Sequence, residues 1–120
     1  MDEPEYHKAS VYWSKIPATV DGMLGGLSRV SGADISFSDR ILSKFLKGEK
    51  PMGNELALDV GAGIGRVSKH LLAKHFQRLH MLEADQHFVE GMMCPHLLTR
   101  YIRIFRVFVL AYTALQQLTV

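Results

Sequence analysis

The sequence predicts an α/β fold in which helices come first and a β-α-β-α unit on a parallel sheet follows. Three observations predict it. The apolar run at 56–60 meets Gly61-Ala-Gly-Ile-Gly65 and then a helix-forming stretch, the order of a strand, a tight turn and a helix start. A second apolar run, Leu79-His-Met-Leu82, closes on Glu83, 22 residues beyond Gly61. Helical periodicity lies before, between and after these runs. Leu56, Ala57 and Leu58 alternate little, so the first strand is expected to be buried on both faces.

The spacing of the glycines narrows the chemistry. Gly61, Gly63 and Gly65 follow Asp59 as Gly-x-Gly-x-Gly and not as the Gly-x-Gly-x-x-Gly of dinucleotide oxidoreductases. Glycines there permit positive φ and a close ligand approach. Glu83 at the end of the second strand can accept both hydroxyls of a ribose. An acidic residue, three alternating glycines and a second acid at this distance form the layout of an S-adenosylmethionine (SAM) site. Another nucleotide, or a loop that turns for structural reasons alone, stays open on the same residues.

Taken in order, residues 5–16 place Tyr6, Ala9, Trp13 and Ile16 at helical spacing and stop at Pro17. Trp13 reads from this pattern as a packing residue. Residues 19–26, Thr-Val-Asp-Gly-Met-Leu-Gly-Gly, read as a mobile loop able to cover a site, or as a plain turn. Ser36-Phe-Ser-Asp39 offers a capping box before Ile41, Leu42, Phe45 and Leu46, the greasy face of a second helix that stops at Gly48. After the glycines, 64–76 is expected to be one helix with Ile64, Val67, Leu71 and His75 on a face. Asp85 can cap a short helix through Met93 with Phe88, Val89 and Met92 buried. Residues 97–118 carry both helical spacing and a density of β-branched and aromatic residues that suits a strand.

Composition bounds the rest. The 120 residues suffice for one small domain. The single Cys94 excludes an intramolecular disulfide, and the acidic start is no secretory signal, so an intracellular protein is expected. The net charge of +2 comes from the tail, where Arg100, Arg103 and Arg106 stand without an acid after Cys94. It is therefore no argument for nucleic-acid binding by the body. The longest uncharged stretch, 107–120, is too short and too polar to span a bilayer. The six histidines lack the paired spacing of a metal site.

Tyr12-Trp-Ser-Lys-Ile-Pro17, Thr19-Val-Asp-Gly-Met-Leu-Gly-Gly26 and Leu58-Asp-Val-Gly-Ala-Gly-Ile-Gly-Arg66 resemble the alpha-N-terminal protein methyltransferases, which methylate the exposed amine of X-Pro-Lys N-termini. The resemblance implies a SAM-dependent, Rossmann-like methyltransferase fold and SAM as cofactor. It assigns cofactor binding to Gly61, Gly63, Arg66 and Glu83, with Arg66 on the methionine carboxylate, and it puts Trp13 and Leu24 beside the peptide. The family's usual residue at position 83 is aspartate. Protein substrates with X-Pro-Lys N-termini are the implied partners, and nucleus and cytoplasm the implied locations.

The pattern divides the chain into 1–50, a helical segment with a lid-like loop; 51–93, the first β-α-β-α unit; and 94–120, a hydrophobic basic tail outside the resemblance. The downstream groups that clasp the substrate amine in the family have no counterpart, so no catalytic residue is assigned. A free α-amine, with a reference pKa of about 7.7 to 8.0, must lose its proton before it attacks a methyl group. The chain is thus expected to be a truncated form, from an alternative splice or an inaccurate gene model, with impaired activity. The alternative is a non-catalytic product that binds SAM or a partner weakly.

Overall fold

A computed structural model describes residues 5–93 and 102–105, without the side chains of Tyr6 and of 102–105. The elements are α1 (Glu5–Ser14), α2 (Val20–Met23), α3 (Ser31–Lys47), β1 (Leu56–Val60), α4 (Arg66–His70), β2 (Arg78–Leu82), α5 (Gln86–Glu90) and β3 (Ile102–Phe105). Short 3-10 turns precede α3 at Ser28–Val30 and follow α4 at Leu72–Lys74. The three strands form one parallel sheet in the order β1-β2-β3.

Register sets the two faces of the sheet. Ala57 pairs with Leu79 and Asp59 with Met81, so these four share a face, because side chains alternate along a strand. That face carries the core. Leu79, Met81 and Met92 are buried together, with Ala57, Ala62, Leu72, Phe76, Val89 and Met93 packed around them. Asp59 belongs to the same side, where its Oδ2 accepts the Ser68 hydroxyl at 2.7 Å and ties β1 to α4. Ser68 is fully buried, so this bond satisfies a hydroxyl that would be costly to leave unpaired.

The other face of β1 is uncovered among the described residues. Leu56, Leu58 and Val60 are 43%, 54% and 63% exposed, against the expectation of a strand covered on both sides. The reason is physical: α4 and the Met92 end of α5 pack on the Leu79–Met81 face, and a second layer would be needed to cover the first.

Local structure departs from the sequence pattern at several places: α1 stops at Ser14 rather than at residue 16, and α5 stops at Glu90, capped by Gly91, rather than at Met93. Residues 19–26 are not an open loop in their first half. Thr19 caps α2 by accepting the Gly22 N–H at 3.0 Å, and only then do Gly25 and Gly26 turn with φ of 59° and 86°. The helix α3 starts at Ser31 rather than at the Ser36 box, because the 3-10 turn already delivers the chain in helical geometry and Asp39 is used elsewhere. Its Ile41 and Phe45 are exposed while Ile35 is buried, so the greasy face is rotated from the one expected. The helix expected at 64–76 breaks at Leu71, whose φ of −121° leaves the helical region, into α4 and a 3-10 turn. In the tail, Ile102–Phe105 is a strand paired to β2, whereas the rest of the 97–118 pattern and Cys94 fall outside the described residues.

Asp39 meets His75, Oδ1 to Nε2 at 2.5 Å, and so fastens α3 beside the turn that follows α4. The hydrogen bond from His75 holds the Asp39 carboxyl below its ordinary 3.8. A depressed carboxyl stabilises the fold above its unfolded value, and the gain is lost as pH falls through the folded value. Asp39→Asn should therefore lower the urea midpoint at neutral pH, and the gap from wild type should close below about pH 3.8. A gap that stays constant into acid would remove the ion pair from the account.

Candidate functional site

The glycine loop between β1 and α4 is fixed by backbone geometry. Gly61, Gly63 and Gly65 all have positive φ, 69°, 59° and 79°, which any other residue would adopt at a cost. The N–H groups of Gly61 and Ala62 both donate to the Leu82 carbonyl, at 2.8 and 2.9 Å, and pin the loop to the end of β2. Around Gly61 the space where a Cβ would stand is open. At Gly63 it is not, because a Cβ would come within 2.6 Å of Met23 Sδ. The Met-Leu-Gly-Gly segment thus reaches the glycine loop by way of Met23, and Leu24 follows it, half-buried, with its N–H on the Val20 carbonyl at 3.1 Å.

Glu83 stands at the head of β2, where the sequence pattern puts it, and its carboxylate is already engaged. One oxygen accepts the Gly63 N–H at 2.7 Å and the other the Asp85 N–H at 2.9 Å. Each oxygen keeps a further lone pair for a hydroxyl.

Arg66 opens α4 and is 11% exposed. Its guanidinium turns to α3, with Nη2 on Asp34 Oδ2 at 2.8 Å and Nη1 on Ser31 Oγ at 3.2 Å. Five N–H donors leave a fork with unused directions after these two bonds. Sequence reasoning found Arg66 but missed Asp34 and Ser31. Their signal was weak, since only the spacing of a serine and an acid at the front of a helix marks them.

Trp13 stays 42% exposed and packs by ring contacts. Its ring meets Phe88 edge to face at 6.3 Å and Tyr12 at 5.2 Å. The structure therefore brings Gly61, Gly63 and Glu83 into one cluster, places Arg66 at its helix start, and sets Trp13 against α5. Among the described residues no group of His, Cys, Asp and Glu could hold a metal ion. No described helix is long and apolar enough to cross a membrane.

The glycine loop thus lies beside a carboxylate, with an arginine at the start of the next helix. Residues 2–117 match the family model described as AdoMet dependent proline di-methyltransferase. The chain belongs to that family. N-terminal Xaa-Pro-Lys N-methyltransferase 1 of Homo sapiens is 46% identical over 85 residues, 70% of this chain and 38% of the relative. Alpha N-terminal protein methyltransferase 1 of Drosophila melanogaster is 48% identical over 85 residues, 71% of this chain and 29% of the relative. A solved SAM-dependent methyltransferase from Leishmania major superposes with a TM-score of 0.72 at 39% identity, over 86% of this chain and 41% of that one. This member of the AdoMet-dependent proline dimethyltransferases thus has the fold of a SAM-dependent methyltransferase, and it spans less than half the length of these relatives.

Proposed function

We propose that the chain binds SAM at the glycine loop and serves the methylation of the α-amino group of Xaa-Pro-Lys protein N-termini. The observation that carries the reading is the bond from Gly63 N–H to Glu83, which puts a ribose-competent carboxylate against a loop of three positive-φ glycines. The human relative is named for Xaa-Pro-Lys N-termini and the Drosophila relative for protein α-N-termini, which supports the substrate class. Nuclear and cytoplasmic residence is part of the proposal and rests on the family resemblance alone.

SAM, when bound, supplies an activated methyl group to an amine. In the proposed site Gly61 leaves room for the ligand's approach, and Glu83 offers its remaining lone pairs to the ribose hydroxyls. Arg66 would turn its free N–H groups to the amino-acid carboxylate, with Asp34 and Ser31 holding the fork. Trp13 and Leu24 border the peptide. The proton of the substrate amine is assigned to no residue.

Calorimetry tests the cofactor half. Arg66→Ala should lose about 1.5–3 kcal/mol of SAM affinity, the range of hydrogen bonds to charged groups. 5′-Methylthioadenosine lacks the carboxylate and should bind both proteins alike. Equal SAM affinity for wild type and variant would leave Arg66 only its tether to α3. Mass spectrometry of a Ser-Pro-Lys-Arg peptide incubated with SAM tests the other half. Gains of one methyl step at the N-terminal residue support the enzyme, whereas binding without any gain leaves a SAM-binding module.

A further inference from the structure

His87, the second residue of α5, has an acceptor at each ring nitrogen. Nδ1 lies 2.5 Å from Asp85 Oδ1 and Nε2 lies 2.7 Å from the Ile16 carbonyl, 71 residues away in the chain. A neutral imidazole carries one N–H and can donate to only one of them, whereas the imidazolium donates to both. Two further contacts join the same partners. Phe88 packs on Trp13, and a Cβ at Gly91 would meet the Ala18 Cβ at 2.7 Å. His87 and Phe88 of α5 and the Gly91 cap that follows thus all meet the arm at 13–18.

The arm leads straight to the glycine loop. Thr19 N–H donates to the Pro17 carbonyl at 2.8 Å, α2 follows, and Met23 ends against Gly63. On the other side, the bonds continue from His87 to Asp85, from the Asp85 N–H to Glu83, and from Glu83 to the Gly63 N–H. Both routes end at one glycine.

We propose that His87 is the positioning residue that latches the 13–23 arm over the glycine loop, closed when its ring is charged and loosened when the ring is neutral. The inference does not depend on which ligand the loop takes. The charged groups acting on His87 are Asp85, its own helix cap, and Glu83 at the end of β2, while the arm presents the uncharged Ile16 carbonyl. The bond to Ile16 and then that to Asp85 raise the His87 pKa above its ordinary 6.5, against the pull of desolvation. A raised histidine stabilises the closed form fully below the unfolded value and loses that contribution as pH rises through the folded value. The latch opens on the alkaline side.

The chain's single tryptophan reports on it, since Trp13 packs on Phe88 and the Phe88 ring lies 4.1 Å from that of His87. The experiment is a fluorescence titration of the full chain from about pH 5.5 to 8.5, paired with hydrogen exchange of 16–26 corrected for the intrinsic pH dependence. Wild type should give a step with its midpoint above 6.5 and several-fold slower exchange on its acid side. His87→Gln should lose the step and the difference in exchange. Asp85→Asn keeps a residue that caps as well as aspartate and removes only the charge, so it should stay folded and move the midpoint down. A step that survives in His87→Gln, or a midpoint unmoved in Asp85→Asn, would overturn the latch.

Discussion

Met81→Ala should destabilise the fold by about 2–5 kcal/mol, read from urea unfolding followed by circular dichroism. Met81 is 0% exposed and lies at the centre of the one core the described residues possess. It packs with Leu79 and Met92, and its methyl reaches Gly65, where an added Cβ would lie 2.7 Å away. A cavity there has no second core to share its cost. Since native domains hold only about 5–15 kcal/mol in total, one methionine carries a large part of it. A loss below about 1 kcal/mol would mean that the neighbours collapse into the space.

Gly65→Ala should cost a similar amount, about 2–5 kcal/mol, for the opposite reason. The residue sits at φ 79° as the cap of α4, a left-handed conformation that costs an L-residue roughly 1–2 kcal/mol. The rest comes from overpacking, because the added methyl would push on a side chain with no solvent to retreat into. The two predictions are coupled. Alanine at 81 vacates the volume that alanine at 65 needs, so the double variant should be less destabilised than the two singles added together. Strict additivity in denaturant midpoints would show that strain at position 65 is backbone strain alone.

What the sequence made legible is whatever depends on local chemistry. Three glycines alternating after Asp59 require unusual backbone angles, and all three have them. Asp85 before an apolar turn is a helix cap, and it accepts the His87 N–H as one. Pro17 bars a helix from running on, yet α1 already stops at Ser14, and Lys15 and Ile16 turn on bonds to Tyr12 and Trp13 before the ring is reached. Illegible was whatever depends on a distant partner. The Ser36 box looked like a helix start because its residues suit one, yet Asp39 spends its carboxylate on His75, 36 residues away. Leu56 and Leu58 looked doubly buried because hydrophobicity tells what a residue prefers and not whether a second layer reaches it. The strand at Ile102–Phe105 competed with a helical spacing that fits the same letters, and pairing with β2 decides between them. Within the candidate site the glycines and Glu83 were visible as a pattern. The bonds that join them to Asp85, His87 and Ile16 were not, since no spacing rule links residue 16 to residue 87.

The bare face of β1 has a consequence for topology. A crossover between parallel strands is right-handed in about 98% of cases. Strands laid down in one direction, β1 to β2 to β3, therefore put successive crossovers on one side, where α4 and α5 are found. A chain that left β3 to pair with the free edge of β1 would travel the opposite way, and the same handedness would carry it across the opposite side. Leu56, Leu58 and Val60 lie on that track, so a right-handed parallel crossover from β3 to the outer edge of β1 would pass over them.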